Sequence, residues 1–157
     1  MKTETAIFAA GCFWHIEDSF SKIKGVISTR VGYIGGKVKN PNYKNVCSGT
    51  TGHMEATEVT FNPEKISYEK LLDIFWKIHN PTTLNQQGFD FGKQYNSVIF
   101  YNNLKQKNLA EESKKERQRD FRNKIVTKVI KSKKFWPAEE YHQKYYKKQK
   151  GKIFNLK

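Results

Sequence analysis

The 157-residue chain has 37% hydrophobic and 14% aromatic residues, which suffices for one globular domain, 1–157, with its own core. Its two cysteines exclude a disulfide-rich scaffold and a multi-cysteine zinc site, and no apolar run approaches the ~20 residues of a membrane-spanning helix. The net charge of +14, from 29 basic and 15 acidic residues, is compatible with a polyanionic partner.

Eight secondary-structure elements are predicted, in the order β-α-β-β-α-β-α-β. Short apolar, β-branched or alternating runs predict the strands. Apolar residues at helical spacing predict the first two helices, whereas 103–119 is charged except at Leu104, Leu109 and Ala110 and is predicted as a mostly solvated helix. In chain order we expect a strand at 6–10, a helix that begins at Cys12 or Phe13, strands at 26–33 and 56–61, a helix capped by Ser67, a strand at 97–101, a helix over 103–119 and a strand at 125–130. The first six elements have the order of a ferredoxin-like split βαβ unit, and the whole predicts one α+β domain.

Four segments lie outside these elements. Residues 37–54 and 81–95 are polar and contain several glycines, which predicts two long loops of a kind that often carries function. Residues 138–148 follow Pro137 and are helix-forming and aromatic, and 147–157 are expected to form a basic C-terminal tail.

The positive charge is concentrated near the C-terminus. Residues 1–100 hold 11 basic and 9 acidic residues, a net of +2, whereas 101–157 hold 18 and 6, a net of +12. Aromatic residues interleave with the lysines there, as in a nucleic-acid-binding surface. No nucleic-acid-binding motif accompanies them. We therefore interpret the segment as a solvated lysine-rich surface and expect no nucleic-acid partner.

The first residues superficially resemble an export signal. Small residues precede Cys12 as they do at a lipoprotein cleavage site. However, Glu4 interrupts the leading segment, and the apolar stretch 6–10 is too short for a signal peptide. We expect a cytoplasmic protein whose two thiols are reduced, with no membrane attachment.

Cys12 is the strongest candidate for a catalytic residue. It follows a predicted strand and a glycine, and it stands at a predicted helix N-terminus, where unpaired N–H groups favour an anion. Such a position lowers a thiol pKa and makes the sulfur a better nucleophile. The alternative is a small buried cysteine. Phe13 and Trp14 follow directly and either form the wall of an apolar pocket or belong to the core.

The two long loops carry further candidates. Glu55 ends the first loop, where partial burial would raise its pKa and let it donate a proton. Tyr43, in the same loop, and Asp90 and Tyr95, in the second loop, are candidate site residues or ordinary turn residues. The H-x-E that ends at Glu55 and the E-x-x-H that ends at His142 lack the partners that metal sites require. No metal is therefore predicted.

These segments together resemble one family, peptide methionine sulfoxide reductase A (MsrA). The resemblance extends from Thr5 to Tyr146, with the motifs in the family's order. It rests on Gly11-Cys12-Phe13-Trp14, the glycine-rich run 32–36, Tyr43 with Val46-Cys47-Ser48-Gly49, Gly52-His53-Met54-Glu55, the loop 85–95 and Pro137-Ala138-Glu139-Glu140-Tyr141-His142-Gln143.

The resemblance implies a two-layer α/β sandwich with a ferredoxin-like core and a reductase of methionine S-sulfoxide, protein-bound or free. It implies that Cys12 attacks the sulfoxide sulfur and becomes a sulfenic acid. The other implied roles are a methyl pocket at Phe13 and Trp14, an acid at Glu55, assisting hydroxyls at Tyr43 and Tyr95, and an organising carboxylate at Asp90. Both a thiolate and a protonated acid are then expected in one site.

The chain departs from the family's pattern in two places. His15 stands where the family often has glycine; no role is assigned to it, and we expect it either at the surface or behind the residues that line the site. The tail 147–157 has no cysteine, although many family members carry recycling cysteines there. The sulfenic acid must then meet Cys47, the candidate resolving thiol, or an external thiol from thioredoxin or from glutathione with glutaredoxin. Disulfide geometry is strict, so we favour the external thiol, with no bound cofactor and a monomeric enzyme. A thiol peroxidase remains the alternative enzyme class.

Overall fold

A mixed six-stranded sheet forms the centre of the computed structural model, which describes residues 2–155 and the side chains of 2–150. Its strands lie in the order β7-β6-β1-β3-β2-β8, and all neighbours are antiparallel except β6 and β7. A separate hairpin contains β4 and β5. The strands are β1 Glu4–Ala10, β2 Val26–Ile34, β3 Met54–Phe61, β4 Gln86–Gln87, β5 Asp90–Phe91, β6 Ser97–Tyr101, β7 Lys128–Lys131 and β8 Trp136–Pro137.

The helices begin where polar side chains cap their first turns. Asn42, Ser67 and Asn103 each accept a hydrogen bond from the backbone N–H three residues later, which satisfies a donor that the helix leaves free. The first helix differs, because Cys12 is its N-cap and makes no capping hydrogen bond through its side chain. The helices are α1 Phe13–Ser21, α2 Tyr43–Cys47, α3 Tyr68–Lys77, α4 Leu104–Arg117 and α5 Tyr145–Asn155.

The main core lies between one face of the sheet and the helices α1, α3 and α4. Phe8 of β1 is fully buried there, with its ring 5.0 Å from that of Phe20 and 5.2 Å from that of Phe75. A smaller cluster covers the opposite face and includes Ile34 and Phe100. Because strand residues alternate between faces, Glu55 and Val59 of β3 lie on the helix-covered face. Glu55 is at the end of that strand nearest the start of α1.

The α+β class is confirmed, and the predicted loops proved more ordered than expected. The loop 37–54 contains α2, and the loop 81–95 contains the β4–β5 hairpin and a 3₁₀ turn, Lys93–Tyr95. These elements are too short for sequence periodicity to reveal them. The predicted strand at 125–130 begins instead at Lys128, where pairing with β6 starts. The side chains of Ile125 and Thr127 are buried and therefore gave the alternating pattern of a strand, although their backbone is not paired in the sheet.

The C-terminal segment was predicted with the wrong boundaries. Residues 138–148 were expected to be helix-forming, but the structure has a 3₁₀ turn at Glu140–His142 and then α5. Most of the predicted basic tail 147–157 is therefore helix, and its last two residues lie outside the described part of the chain. Within residues 2–155, no helix is long and apolar enough to cross a bilayer.

Candidate active site

The position of Cys12 follows from the tight junction between β1 and α1. Gly11 joins them with φ of +98°, a conformation that L side chains rarely adopt. A Cβ at Gly11 would lie 2.7 Å from Cγ of Gln87, so glycine also allows the β4–β5 hairpin to pack against the backbone. The half-buried thiol of Cys12 therefore lies at the start of a helix and beside this hairpin.

Glu55 is a buried acid next to that helix start. Its side chain is 1% exposed, and its Oε1 accepts a hydrogen bond of 3.2 Å from the N–H of Phe13. Its Oε2 has no hydrogen-bond partner among the described residues. Burial raises the pKa of Glu55 to about 8, the Phe13 N–H opposes the shift, and the charge of Asp90 adds to it. At neutral pH this carboxyl is therefore mostly protonated and can donate a proton.

The thiol itself is protonated in the substrate-free site, contrary to the expected thiolate. Burial is the largest effect and raises the pKa of Cys12 to about 11. The N–H groups of Trp14 and His15 do lower it, as expected at a helix start, but burial and the charges of Glu55 and Asp90 outweigh them. A neutral Glu55 removes one of these charges. The two titrations are thus coupled, and the resting site holds a thiol beside a carboxylic acid.

Two tyrosines place hydroxyl groups around this pair. Burial, followed by the charges of Glu55 and other site residues, raises the pKa of Tyr95 to about 12. The Tyr43 pKa is also well above its usual range, because the hydroxyl is desolvated and lies near the thiol of Cys47. Both hydroxyls therefore stay protonated at neutral pH and are available as hydrogen-bond donors.

Asp90 and Cys47 lie at the periphery of the same group. Asp90 is an exposed residue of β5, close enough for its charge to raise the pKa of Cys12, Glu55 and Tyr95. Cys47 is exposed at the end of α2, and burial of part of its thiol raises its pKa. The structure thus brings the predicted polar residues into one neighbourhood.

Phe13 and Trp14 differ in their surroundings. Phe13 is buried, 5.8 Å from the ring of Tyr33, in a third cluster separate from the main core. Trp14 is half-buried, and its ring stacks on that of Tyr145 at 3.8 Å. Both rings thus belong to one apolar cluster at the start of α1, with Phe13 fully buried in it and Trp14 partly exposed at its edge.

Comparisons with known proteins decide the family. Residues 4–157 match the family model described as peptide methionine sulfoxide reductase. The chain is also 54% identical over 147 residues to the peptide methionine sulfoxide reductase MsrA of Methanothermobacter thermautotrophicus, covering 92% of this chain and 87% of that one. The chain belongs to the MsrA family. It is a peptide-methionine (S)-S-oxide reductase.

Solved structures agree with this assignment. Mxr1 from Saccharomyces cerevisiae in reduced form has a TM-score of 0.90 and 37% sequence identity, covering 94% of this chain and 86% of that one. The structure of Mxr1 in complex with Trx2 has a TM-score of 0.66 and 25% identity, covering 92% and 85%. The MsrA fold thus extends over nearly the whole chain.

His142 is a part of this MsrA site that the sequence analysis missed. It was named in an incomplete metal motif and in the motif that resembles the family, without a role in the site. In the structure it is 1% exposed and its Nδ1 accepts a 2.9 Å hydrogen bond from Nε1 of Trp14. Its ring also packs 4.5 Å from that of Tyr43 and 5.2 Å from that of Phe13. Burial lowers the pKa of His142, which keeps the ring neutral and able to accept that bond.

Glu139 connects the same segment to the site. Its carboxylate accepts hydrogen bonds from the Tyr33 hydroxyl at 2.8 Å and from the N–H of Tyr43 at 3.0 Å. In the sequence, only the family motif from Pro137 to Gln143 indicated that Glu139 belongs near the site, because the periodicity of apolar residues does not reveal such contacts. Among the described residues, no cluster of three or more His, Cys, Asp or Glu side chains could hold a metal ion. His15 is at the surface, one of the two positions expected for it.

Proposed function

We propose that Cys12 is the nucleophile of this reductase and that Glu55 is its acid. The observation that carries the proposal is the burial of a neutral carboxyl, with one oxygen unpartnered among the described residues, at the helix start that bears the thiol. A sulfoxide oxygen leaves sulfur only when it is protonated. An acid that stays protonated at neutral pH beside a thiol meets this requirement.

The chemical step balances without an added oxidant or reductant. The sulfur of Cys12 bonds to the sulfoxide sulfur, and Glu55 protonates the sulfoxide oxygen. The hydroxyl then moves to Cys12 as the S–S bond breaks, which leaves methionine and a Cys12 sulfenic acid. The thiol proton replaces the one that Glu55 gave up, so the carboxyl is neutral again when the step ends.

The remaining site residues bind and orient the substrate in this proposal. Phe13 and Trp14 take the methyl group on sulfur in this proposal, which is supported by their position directly after Cys12 and by the apolar cluster to which both belong. Tyr43 and Tyr95 donate hydrogen bonds to the oxygen, since both hydroxyls stay protonated. Asp90, exposed at the rim, orients the substrate backbone. Free and protein-bound methionine S-sulfoxide both fit such a site.

Recycling of the sulfenic acid uses an external thiol in this proposal. The two cysteines of the sequence are Cys12 and Cys47; both are free thiols, and Cys47 is exposed at the end of α2. An external thiol condenses with the sulfenic acid, releases water and forms a mixed disulfide, which a second thiol reduces. The structure of Mxr1 with Trx2 supports a thioredoxin as donor, and glutathione with glutaredoxin is the alternative. No cofactor is bound in this scheme.

The finer structural and cellular expectations belong to the same proposal. The order β6-β1-β3-β2 within the sheet supports a ferredoxin-like core, and the helices on one face support a two-layer sandwich. We further propose one catalytic domain over 1–157 that acts as a cytoplasmic monomer, without nucleic acid as a partner.

The test is a single-turnover assay on the two epimers of methionine sulfoxide. Cys12→Ser should abolish turnover of the S epimer and leave the fold intact, because a hydroxyl is a far weaker nucleophile. Cys47→Ser is the matched control and should cycle normally with dithiothreitol. Retained activity in Cys12→Ser would disprove the assignment of the nucleophile.

A further inference from the structure

A buried glutamate, Glu17 of α1, takes no part in the proposed chemistry. Its side chain is 2% exposed, and both of its carboxyl oxygens accept hydrogen bonds. The hydroxyl of Thr29 in β2 donates to Oε2 at 2.9 Å, and the backbone N–H of Lys144 donates to Oε1 at 2.6 Å. Burial of a carboxyl group costs free energy that only such pairing offsets. The position of Glu17 inside the domain therefore requires an explanation.

The residue that Glu17 binds has an unusual backbone conformation. Lys144 has φ of +50°, in the left-handed region that side chains such as lysine rarely adopt. Its ammonium group also donates a 3.0 Å hydrogen bond to the carbonyl oxygen of Thr29. A strained conformation of this kind persists only where the surrounding contacts favour it. The hydrogen bonds of Lys144 to Glu17 and Thr29 are such contacts.

The turn at Lys144 places residues on both of its sides against the Trp14 indole. Before the turn, Nδ1 of His142 accepts a 2.9 Å hydrogen bond from Nε1 of Trp14. Directly after the turn, the ring of Tyr145 stacks on that of Trp14 at 3.8 Å, with an angle of 10° between the two planes. The backbone conformation of Lys144 therefore decides whether both contacts with the indole can form together.

The indole depends on these contacts, because close packing does not surround it. Trp14 is half-buried, and together with Tyr145 it lines a cavity of about 420 Å³ between α1, the start of β2 and α5. Gln143 binds the same C-terminal segment through hydrogen bonds with the N–H and C=O of Val31, but Val31 belongs to β2. Glu17 instead ties the segment to α1, the helix that carries Trp14.

We propose that Glu17 is a positioning residue that holds the Trp14 indole in place through the backbone of Lys144. Glu17 and Trp14 are three residues apart on α1 and are therefore neighbours on its surface. By binding the N–H of Lys144, Glu17 stabilises the turn that holds His142 and Tyr145 against the indole. The inference rests on the proposed function, in which Trp14 contacts the methyl group of the substrate. Glu17 then affects substrate affinity without touching the substrate.

The first measurement observes Trp14 directly and does not depend on activity. In protein with isotope-labelled tryptophan, the three indole N–H groups are followed by NMR, and Trp14→Phe identifies the resonance of Trp14. Glu17→Ala should shift this resonance and accelerate its hydrogen exchange about tenfold, because the hydrogen bond to His142 opens more often. The resonance of Trp76, whose N–H is bound by Ser113, should not change.

Kinetics and a rescue variant test the route through Lys144. With dithiothreitol as reductant, Glu17→Ala should raise KM for free methionine S-sulfoxide about tenfold and change kcat less than about twofold. Glu17→Gln keeps an oxygen that can accept the N–H of Lys144, so its KM should stay within about threefold of wild type. Lys144→Gly, added to Glu17→Ala, should recover most of the lost affinity, because glycine adopts a positive φ without strain. Glu112→Ala, at an exposed position of α4, is the matched control and should have wild-type kinetics.

Three outcomes would overturn the inference. An unchanged Trp14 resonance in Glu17→Ala would show that Glu17 does not position the indole. Equal changes at all three indoles, with a loss of kcat, would show a general role in stability. No recovery with Lys144→Gly would show that the turn at residue 144 is not the route. The expected NMR changes with an unchanged KM would support the inference but refute the contact between Trp14 and substrate, so a failure of the proposed function is distinguishable. Thermal unfolding verifies that the variants are folded at the assay temperature.

Discussion

Replacement of Glu55 by glutamine should change two properties of the enzyme in opposite directions. The glutamine keeps the size of the side chain, and its carbonyl oxygen can still accept the hydrogen bond from the Phe13 N–H. It cannot donate an acidic proton and carries no charge. We therefore expect sulfoxide reduction to become slower, while the Cys12 thiol becomes more reactive toward an alkylating agent.

The size of the catalytic loss follows from the protonation of the acid. Because burial raises the pKa of Glu55 to about 8, most wild-type molecules have the proton in place at pH 7. Loss of a general acid slows a reaction by ~10²-fold or more, which corresponds to about 2.7 kcal/mol of the barrier. Substrate affinity should change little, because the amide still hydrogen-bonds the sulfoxide oxygen.

The gain in thiol reactivity follows from the removed charge. Above pH 8 the wild-type Glu55 is ionised and helps to raise the pKa of Cys12 to about 11. Glutamine has no such charge, so the Cys12 pKa is lower in the variant. Because only the thiolate reacts, each unit of decrease accelerates alkylation about tenfold at a fixed pH below the pKa.

The assay measures both properties on the same preparations. Single-turnover reduction of methionine S-sulfoxide is followed at pH 7, and iodoacetamide labelling of Cys12 is followed at pH 9 by mass spectrometry. Both use a Cys47→Ser background so that one thiol is counted. A wild-type rate of sulfoxide reduction in Glu55→Gln would refute the acid role, and unchanged or slower labelling would refute the charge coupling.

Three further predictions concern the thiol, the junction before it and the position of Trp14. In wild-type enzyme without substrate, Cys12 should be alkylated about a hundredfold more slowly at pH 8 than a small free thiol, because burial raises its pKa from 9.0 to about 11. An alkylation rate equal to that of the free thiol would show that the Cys12 thiol is solvated. Gly11→Ala should lower the free energy of unfolding by about 1–3 kcal/mol in urea titrations, since φ of residue 11 is +98° and the new Cβ would clash with Gln87. An unchanged urea midpoint would show that alanine causes no backbone strain at this position. His142→Phe should raise KM for methionine sulfoxide severalfold, because the indole of Trp14 loses its hydrogen-bond acceptor, and the intrinsic tryptophan fluorescence should change as well. An unchanged KM and an unchanged spectrum would show that this hydrogen bond does not position the Trp14 ring.

The sequence by itself determined the elements that have long periodic patterns and the family. Apolar alternation and helical spacing located β1, α1, β2, β3, α3 and β6, because burial of one face imposes such patterns on any chain. The helix α4 was predicted instead from a charged, mostly solvated segment. The strand–Gly–Cys–helix junction also followed from local rules, since Gly11 interrupts the strand and Cys12 precedes the apolar stripe of α1. The motifs around Cys12, Glu55 and His142 were sufficient to indicate the MsrA family.

Tertiary structure decided the electrostatics and the environment of the site. Helix position alone predicted a lowered pKa for Cys12, but burial is a property of the assembled fold and raises it instead. The role of His142 depends on a hydrogen bond between residues 128 positions apart, which no local pattern encodes. Short elements such as α2 and the β4–β5 hairpin exist through contacts with the rest of the domain rather than through their own propensities. Local sequence therefore specified the backbone elements and the reactive residues, whereas desolvation and long-range contacts set their protonation and their neighbours.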